Sequence, residues 1–313
     1  MRYSRGMQAR RILAYSAIYF LWGGSFLGIR EVVAVVPPFF AAGFRFLFAG
    51  LFLLAFALVV PRRSGEGHII TRQQWLGAVL LGLVMFTGDY ACLFWAEQRI
   101  SSGIASVISA TIPVWIFAGE VFLLGTQRIT GKSLAGVALG FAGVVVLTWQ
   151  STQSGPVGSS VAMLVALAGT FFWSGGTLLS RRLVLPASRV VSAGWQMATG
   201  GILLFTVAAG AGELHRLPAA PSALSPRVVL SMTYLIVAAS IVAFTAYVWL
   251  LGHEPVGRVA SYAYVNPVVA LALGAWLAGE RLSLLQLLGS GLVLVGVFAT
   301  LTGKLPAPAR SAA

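Results

Sequence analysis

Apolar residues in this chain come in long uninterrupted blocks, not in the alternation of a half-buried strand or the narrow stripe of a surface helix. Ten blocks approach the roughly 20 residues that an α-helix needs to cross a bilayer. They lie at about 12–29, 39–60, 75–95, 103–124, 133–149, 159–179, 191–212, 228–251, 259–279 and 285–302, and polar residues gather in the short intervals between them. The pattern predicts an all-α integral membrane protein with ten transmembrane helices. The first block follows Arg2, Arg5, Arg10 and Arg11, as the core of a secretory signal would. It runs on through Trp22-Gly23-Gly24-Ser25-Phe26 to Arg30 and Glu31 with no small-residue cleavage pattern, so it is expected to remain as a helix.

Composition agrees with the pattern. Of 313 residues 58% are hydrophobic and 9% charged, against about 25% charged in a soluble domain. The formal charge of +13, from 21 basic and 8 acidic residues, would suit a nucleic-acid partner, but the bases stand singly or in pairs between the blocks. Membrane orientation explains that placement better, and no nucleic acid is expected. With the N-terminus in the cytoplasm, 15 Lys and Arg fall on the cytoplasmic side and five, Arg30, Arg99, Arg216, Arg227 and Arg281, on the other; Arg45 inside a block completes the 21. Both termini are therefore expected in the cytoplasm. Cys92 is the single cysteine and His68, His215 and His253 are scattered, which gives no support to a metal site or a bound cofactor.

The two halves repeat. An offset of 151 aligns Trp22 with Trp173, Gly24 with Gly175, Arg30 with Arg181, Gly43 with Gly194 and Gly50 with Gly201. An offset of 154 aligns Pro113 with Pro267 and Gly125 with Gly279, and one of 153 aligns Gly136 with Gly289 and Gly143 with Gly296. Each repeat holds five blocks, an odd number, so the second must insert upside down relative to the first. The predicted organisation is a five-helix repeat over 1–150, a polar linker at 151–158, a second five-helix repeat over 159–303 and a cytoplasmic tail at 304–313.

Polar groups inside the blocks are the candidates for chemistry, because each costs about 2.5–3.5 kcal/mol near a helix centre. Arg45 and Asp89 fall at similar distances from the outer end of their blocks, which suggests an ion pair or a contact to a charged substrate. Glu120 has no cation at its depth in another block and is a candidate proton carrier. Pro113 and Pro267 interrupt matching helices and free backbone carbonyls, which in a membrane are tolerated where they line a cavity. Around them Trp22, Thr111, Trp115, Trp173, Tyr262, Tyr264 and Asn266 are candidates for the cavity wall, while packing explains buried aromatics equally well. Gly136, Gly140 and Gly289 suit close helix packing, either inside one chain or between protomers of a homodimer.

The ten-block plan, Trp22-Gly23-Gly24-Ser25-Phe26, Gly43-Phe44-Arg45, Pro113 and Asn266-Pro267 followed by Leu277-Ala278-Gly279-Glu280-Arg281-Leu282 resemble the drug/metabolite transporter superfamily. Within it the chain is most similar to the EamA-like bacterial inner-membrane transporters. The resemblance implies a carrier of small metabolites, commonly an exporter of amino acids or related compounds, with a central cavity between its repeats. One departure is visible: the Gly279-Glu280 ending of the second proline helix is Gly125-Thr126-Gln127 after the first. No nucleophile–base set or phosphate loop accompanies these features, so an enzyme is not expected. A membrane-embedded enzyme or a channel remains the alternative to a carrier.

Overall fold

A backbone inside lipid has no water to bond to, so each long apolar block must close its hydrogen bonds on itself as a helix. The computed structural model describes residues 2–59, 70–154, 159–217, 225–254, 256–279, 283–302 and 305–306. Its helices are α1 (Gly6–Val33), α2 (Pro38–Val59), α3 (Arg72–Glu97), α4 (Ser102–Ser109), α5 (Ile112–Phe122) and α6 (Gly131–Ser154) in the first half. In the second half they are α7 (Ser159–Leu179), α8 (Arg189–Gly210), α9 (Pro226–Leu251), α10 (Val256–Val259), α11 (Tyr262–Ala278) and α12 (Leu284–Thr302). Among the described residues seven helices are long and apolar enough to cross a membrane: α1, α2, α3, the combined stretch Ser102–Phe122, α7, α8 and α9. Shorter apolar stretches, Val265–Ala278 and Leu287–Gly296, lie in α11 and α12. Residues such as Leu58, Phe122 and Trp276 project from the bundle 74–80% exposed, as side chains that face lipid do.

Local chemistry sets the helix ends. Thr71 and Gln74 form a reciprocal capping box at the start of α3, and Ser101, Ser188 and Ser225 cap α4, α8 and α9 through their hydroxyls. Gly125 and Gly279, equivalent in the repeat, close their segments in the left-handed conformation at φ 63° and 64°, where a Cβ would be strained. The chain turns at Ala110 and Thr111, which places Pro113 in the first turn of α5. There its missing N–H breaks no helical hydrogen bond. Pro267, in contrast, lies inside α11. Three helices contain wider π-helical turns, Ala17–Leu21 in α1, Gly82–Asp89 in α3 and Leu235–Ala243 in α9. The sequence-based expectation of one proline-broken helix in each half thus becomes a set of several irregular segments. Glu280, residues 155–158 of the linker and the tail after Pro306 lie outside the described residues.

Helices α2 and α8, and likewise α6 and α12, pack with little between their backbones. In α2 and α8, a Cβ on Gly43 would meet the Gly201 carbonyl at 3.1 Å and one on Gly201 would meet the Gly43 carbonyl at 2.9 Å. Gly50 and Gly194 have the same reciprocal relation at 2.8 and 3.2 Å. Residues that rise along one helix meet residues that fall along the other, so the pair is antiparallel. Helices α6 and α12 repeat the arrangement: a Cβ on Gly143 would lie 2.6 Å from the Gly289 carbonyl, and one on Gly296 would lie 2.6 Å from the Gly136 carbonyl. The Gly136, Gly140 and Gly289 face is therefore used inside the chain. Beside α6 and α12, Gln127–Arg128 pairs antiparallel with Leu305–Pro306. Glu213, in a short turn after α8, accepts the Phe40 N–H at 2.8 Å and so caps α2 from the second half of the chain.

Replacing Gly201 or Gly143 by valine should destabilise the protein by about 1–3 kcal/mol through overpacking. Gly175→Ala, at a position with open space for a Cβ, should be nearly neutral. Thermal unfolding of the three detergent-purified variants checks this, and equal unfolding temperatures would contradict the packing described.

Candidate functional site

Aromatic residues that the chain places far apart converge at the centre of the molecule. Trp22 of α1 meets Trp173 of α7 edge to face at 5.8 Å, Tyr262 of α11 at 5.2 Å and Tyr247 of α9 at 5.1 Å. The Trp22 indole donates to the Ala239 carbonyl at 3.0 Å, inside the π-helical turns of α9. Thr177 and Tyr247 join their hydroxyls at 3.0 Å. A wide turn leaves carbonyls displaced from their usual partners, and side chains such as Trp22 satisfy them here. Asn266 does the same for α1. With its amide nitrogen turned toward the backbone, as the surrounding carbonyls require, it donates to Tyr19 O at 2.9 Å, Ile18 O at 3.1 Å and Tyr262 O at 3.3 Å.

This cluster walls a cavity of about 50 Å³, room for a few water molecules. Asp89, at the end of the π-helical turns of α3, lines it together with Ser25, Ser106 and Ser109. The break between α4 and α5 reaches it through Ala110 and Ile112. Among the described residues Asp89 accepts no hydrogen bond and has no cation within 4.0 Å, the four ion pairs present lying elsewhere. The expected Arg45–Asp89 ion pair is not formed. Arg45 is 1% exposed, donates through Nε to Ser240 Oγ at 2.8 Å, and holds its guanidinium 4.6 Å from the Phe46 ring and 5.0 Å from the Tyr90 ring. Similar depth on two helices does not ensure that the side chains face each other, and here Arg45 turns to α9.

Of the expected site residues, the fold brings Trp22, Asp89, Trp173, Tyr262, Asn266 and Pro267 to the cavity. Arg45, Thr111, Pro113, Trp115 and Glu120 are not among its lining. Thr111 bonds the Ile108 carbonyl at 2.8 Å, and Trp115 donates to Thr170 Oγ1 at 2.9 Å while packing on Phe141 and Phe171. Glu120 has a cation nearby that lies outside the apolar blocks: Arg181, just past the end of α7, reaches to 3.9 Å. Tyr264 sits on α11, and its side chain lies outside the described residues. Tyr90, Ser25 and Ser106 line the cavity without having stood out in the sequence. Hydroxyls inside helices so often bond their own backbone that they carried little signal.

Ion pairs join the helices at both ends of α1. Near its start Arg11 Nε and Arg258 Nη1 grip the two oxygens of buried Glu254 at 2.9 and 2.7 Å. Near its end Glu31 pairs with Arg227 at 2.8 Å, and Arg227 also donates to the Leu277 carbonyl at 3.0 Å. Twenty residues of helix separate Arg11 from Glu31, about 30 Å, which matches a bilayer core. The cavity lies between the two clusters.

The profile of the EamA-like transporter family matches this chain twice, at residues 11–149 and 160–302. The chain is 33% identical to the uncharacterized inner membrane transporter YedA of Escherichia coli, over 97% of this chain and 96% of that one. It is 31% identical to a probable amino-acid metabolite efflux pump of the same organism, over 90% and 92% of the two chains. A crystal structure at 21% identity shares the fold, with a TM-score of 0.64 over 93% of this chain and 97% of the other.

Asn266→Leu should leave the carbonyls of Ile18 and Tyr19 without their side-chain donor, at a cost of about 1–3 kcal/mol. A lower unfolding temperature is the expected result. An unchanged one would mean that Asn266 does not hold the wide turn of α1.

Proposed function

Because the chain belongs to the EamA-like transporter family, we propose that it is a secondary carrier for a small organic metabolite, exporting an amino acid or related compound across the bacterial inner membrane by alternating access. The names of its relatives, an inner membrane transporter and an amino-acid metabolite efflux pump, support that reading. We take the architecture to be ten transmembrane helices in two inverted five-helix repeats, 1–150 and 159–303, with both termini in the cytoplasm.

The observation that carries the proposal is the contact between Trp22 and Trp173. They are equivalent under the 151-residue offset and touch each other at 5.8 Å in the cavity wall. Two equivalent residues meet in this way only close to the axis that relates the halves. The reciprocal glycine contacts of α2 with α8 and α6 with α12 join antiparallel helices, which supports an axis perpendicular to them and hence an inverted repeat. A site on such an axis belongs to both halves, and rocking one against the other can open it to either side. The ion pairs at the two ends of α1 are suited to serve as the seals.

Counterflow in proteoliposomes tests the carrier directly. Vesicles containing the full chain and loaded with an unlabelled amino acid should accumulate the labelled compound transiently, and vesicles without protein should not. A channel would equilibrate the label with no overshoot, and an enzyme would return it chemically altered. In Glu31→Cys/Arg227→Cys with Cys92→Ser, a crosslink across that end should stop exchange, and reduction should restore it.

A further inference from the structure

We propose that the cavity recognises a protonated amine, with Asp89 as its counter-ion and the rings of Trp22, Tyr90, Trp173 and Tyr262 as its walls. The inference rests on the carrier reading above and names the chemical group by which the substrate is held.

The first ground is charge. Asp89 is the single ionisable acid or base among the carboxylates, guanidiniums and ammoniums of the described residues that lines the cavity. Arg45 is not among the lining: it donates to Ser240 and lies against the Phe46 and Tyr90 rings. A ligand carboxylate entering here would meet Asp89 and no cation in the lining, whereas an ammonium would meet an opposite charge that has no cation within 4.0 Å.

The second ground is the direction of the hydrogen bonds. Ser25 Oγ donates its one proton to the Trp22 carbonyl at 2.7 Å, and Ser106 Oγ donates to the Gly103 carbonyl at 2.6 Å. Asn266 spends its N–H groups on the carbonyls of α1 and Tyr262. What these three residues have left for a ligand is lone pairs, because a hydroxyl has one hydrogen and an amide oxygen has none. With Asp89 they make an acceptor-rich lining, and its complement is a group with several donors. An ammonium carries three. Ser109, Tyr90 and Tyr262 retain O–H groups that can meet a ligand carboxylate, so an amino acid fits, but its carboxylate is the dispensable part.

The third ground is the wall. Trp22 stands nearly perpendicular to both Trp173 and Tyr262, at 87° and 83°. Aromatic faces turned toward a cation attract it through the ring quadrupole, most strongly where water is excluded.

The test uses substrates matched in carbon skeleton: alanine, ethylamine and lactate; leucine, 3-methylbutylamine and 2-hydroxy-4-methylpentanoate; phenylalanine, phenethylamine and phenyllactate. Each competes against counterflow of the labelled amino acid of its set in proteoliposomes of the full chain. In every set that shows counterflow, the amine should compete alongside the amino acid, and the hydroxy acid should be weaker by about tenfold or more. Asp89→Asn should weaken competition by the amine by roughly thirtyfold or more. If that variant is not monodisperse after purification, the order of competition in the wild type decides alone. A hydroxy acid that competes as well as the amino acid, or an inert amine, overturns the amine assignment while leaving a working carrier. Absence of counterflow in all three sets, together with no change in the protein's tryptophan fluorescence on adding any of the nine compounds, overturns the carrier reading and this inference with it.

Discussion

Every backbone amide and carbonyl in a lipid-embedded segment must find its partner within the protein. That requirement orders the centre of this molecule more than any single contact does. Regular helix meets it automatically on the outer faces, where Leu58, Phe122 and Trp276 project. At the centre the chain departs from regular helix repeatedly, in the wide turns of α1, α3 and α9 and at the breaks between α4 and α5 and between α10 and α11. The displaced carbonyls are then met by side chains from other helices, Trp22 on Ala239 and Asn266 on Ile18 and Tyr19. The aromatic cluster is thus held in place by hydrogen bonds that exist because the helices are imperfect.

The same requirement explains what was legible in the sequence. Block length and hydropathy located helices because the bilayer sets their length, and Gly125 and Gly279 marked segment ends because the left-handed conformation excludes most side chains. Trp22, Asp89, Trp173, Tyr262 and Asn266 stood out because polar and aromatic groups deep in apolar blocks need a reason to be there. Position along a helix, however, does not give direction around it. Arg45 and Asp89 were matched by depth and missed each other, since a residue or two of rotation turns a side chain through 100° or more. Glu120 was judged alone because its partner, Arg181, lies beyond the end of an apolar block and reaches back on a long side chain. Pro113 drew attention as a helix breaker, yet the chain turns before it and leaves it in a first turn, where proline is at ease.

The two halves are alike in their scaffold and unlike in their chemistry. Gly43, Gly50, Gly194 and Gly201 make the same close approach from both sides. Trp95 with Arg99, and Trp249 with His253, form matching stacks one turn apart, at 3.9 and 4.2 Å. The carboxylates Glu120 and Asp89 follow no such rule. Position 274, the 154-residue counterpart of Glu120, is Gly274, and position 243, the counterpart of Asp89, is Ala243. Packing residues must match for the halves to meet, whereas a cavity shared by both halves needs each functional group only once.

Joining the halves in one chain allows this difference between them. Two separate copies of a single half would bury one carboxylate at Asp89 and a second at position 243, where the buried Ala243 now stands, and two buried like charges would repel unless one took up a proton. Joined by a linker, the second half is free to carry alanine there. The covalent link lets the halves differ, so a single carboxylate lines the cavity, a state that two identical halves could reach only by protonating one of a pair.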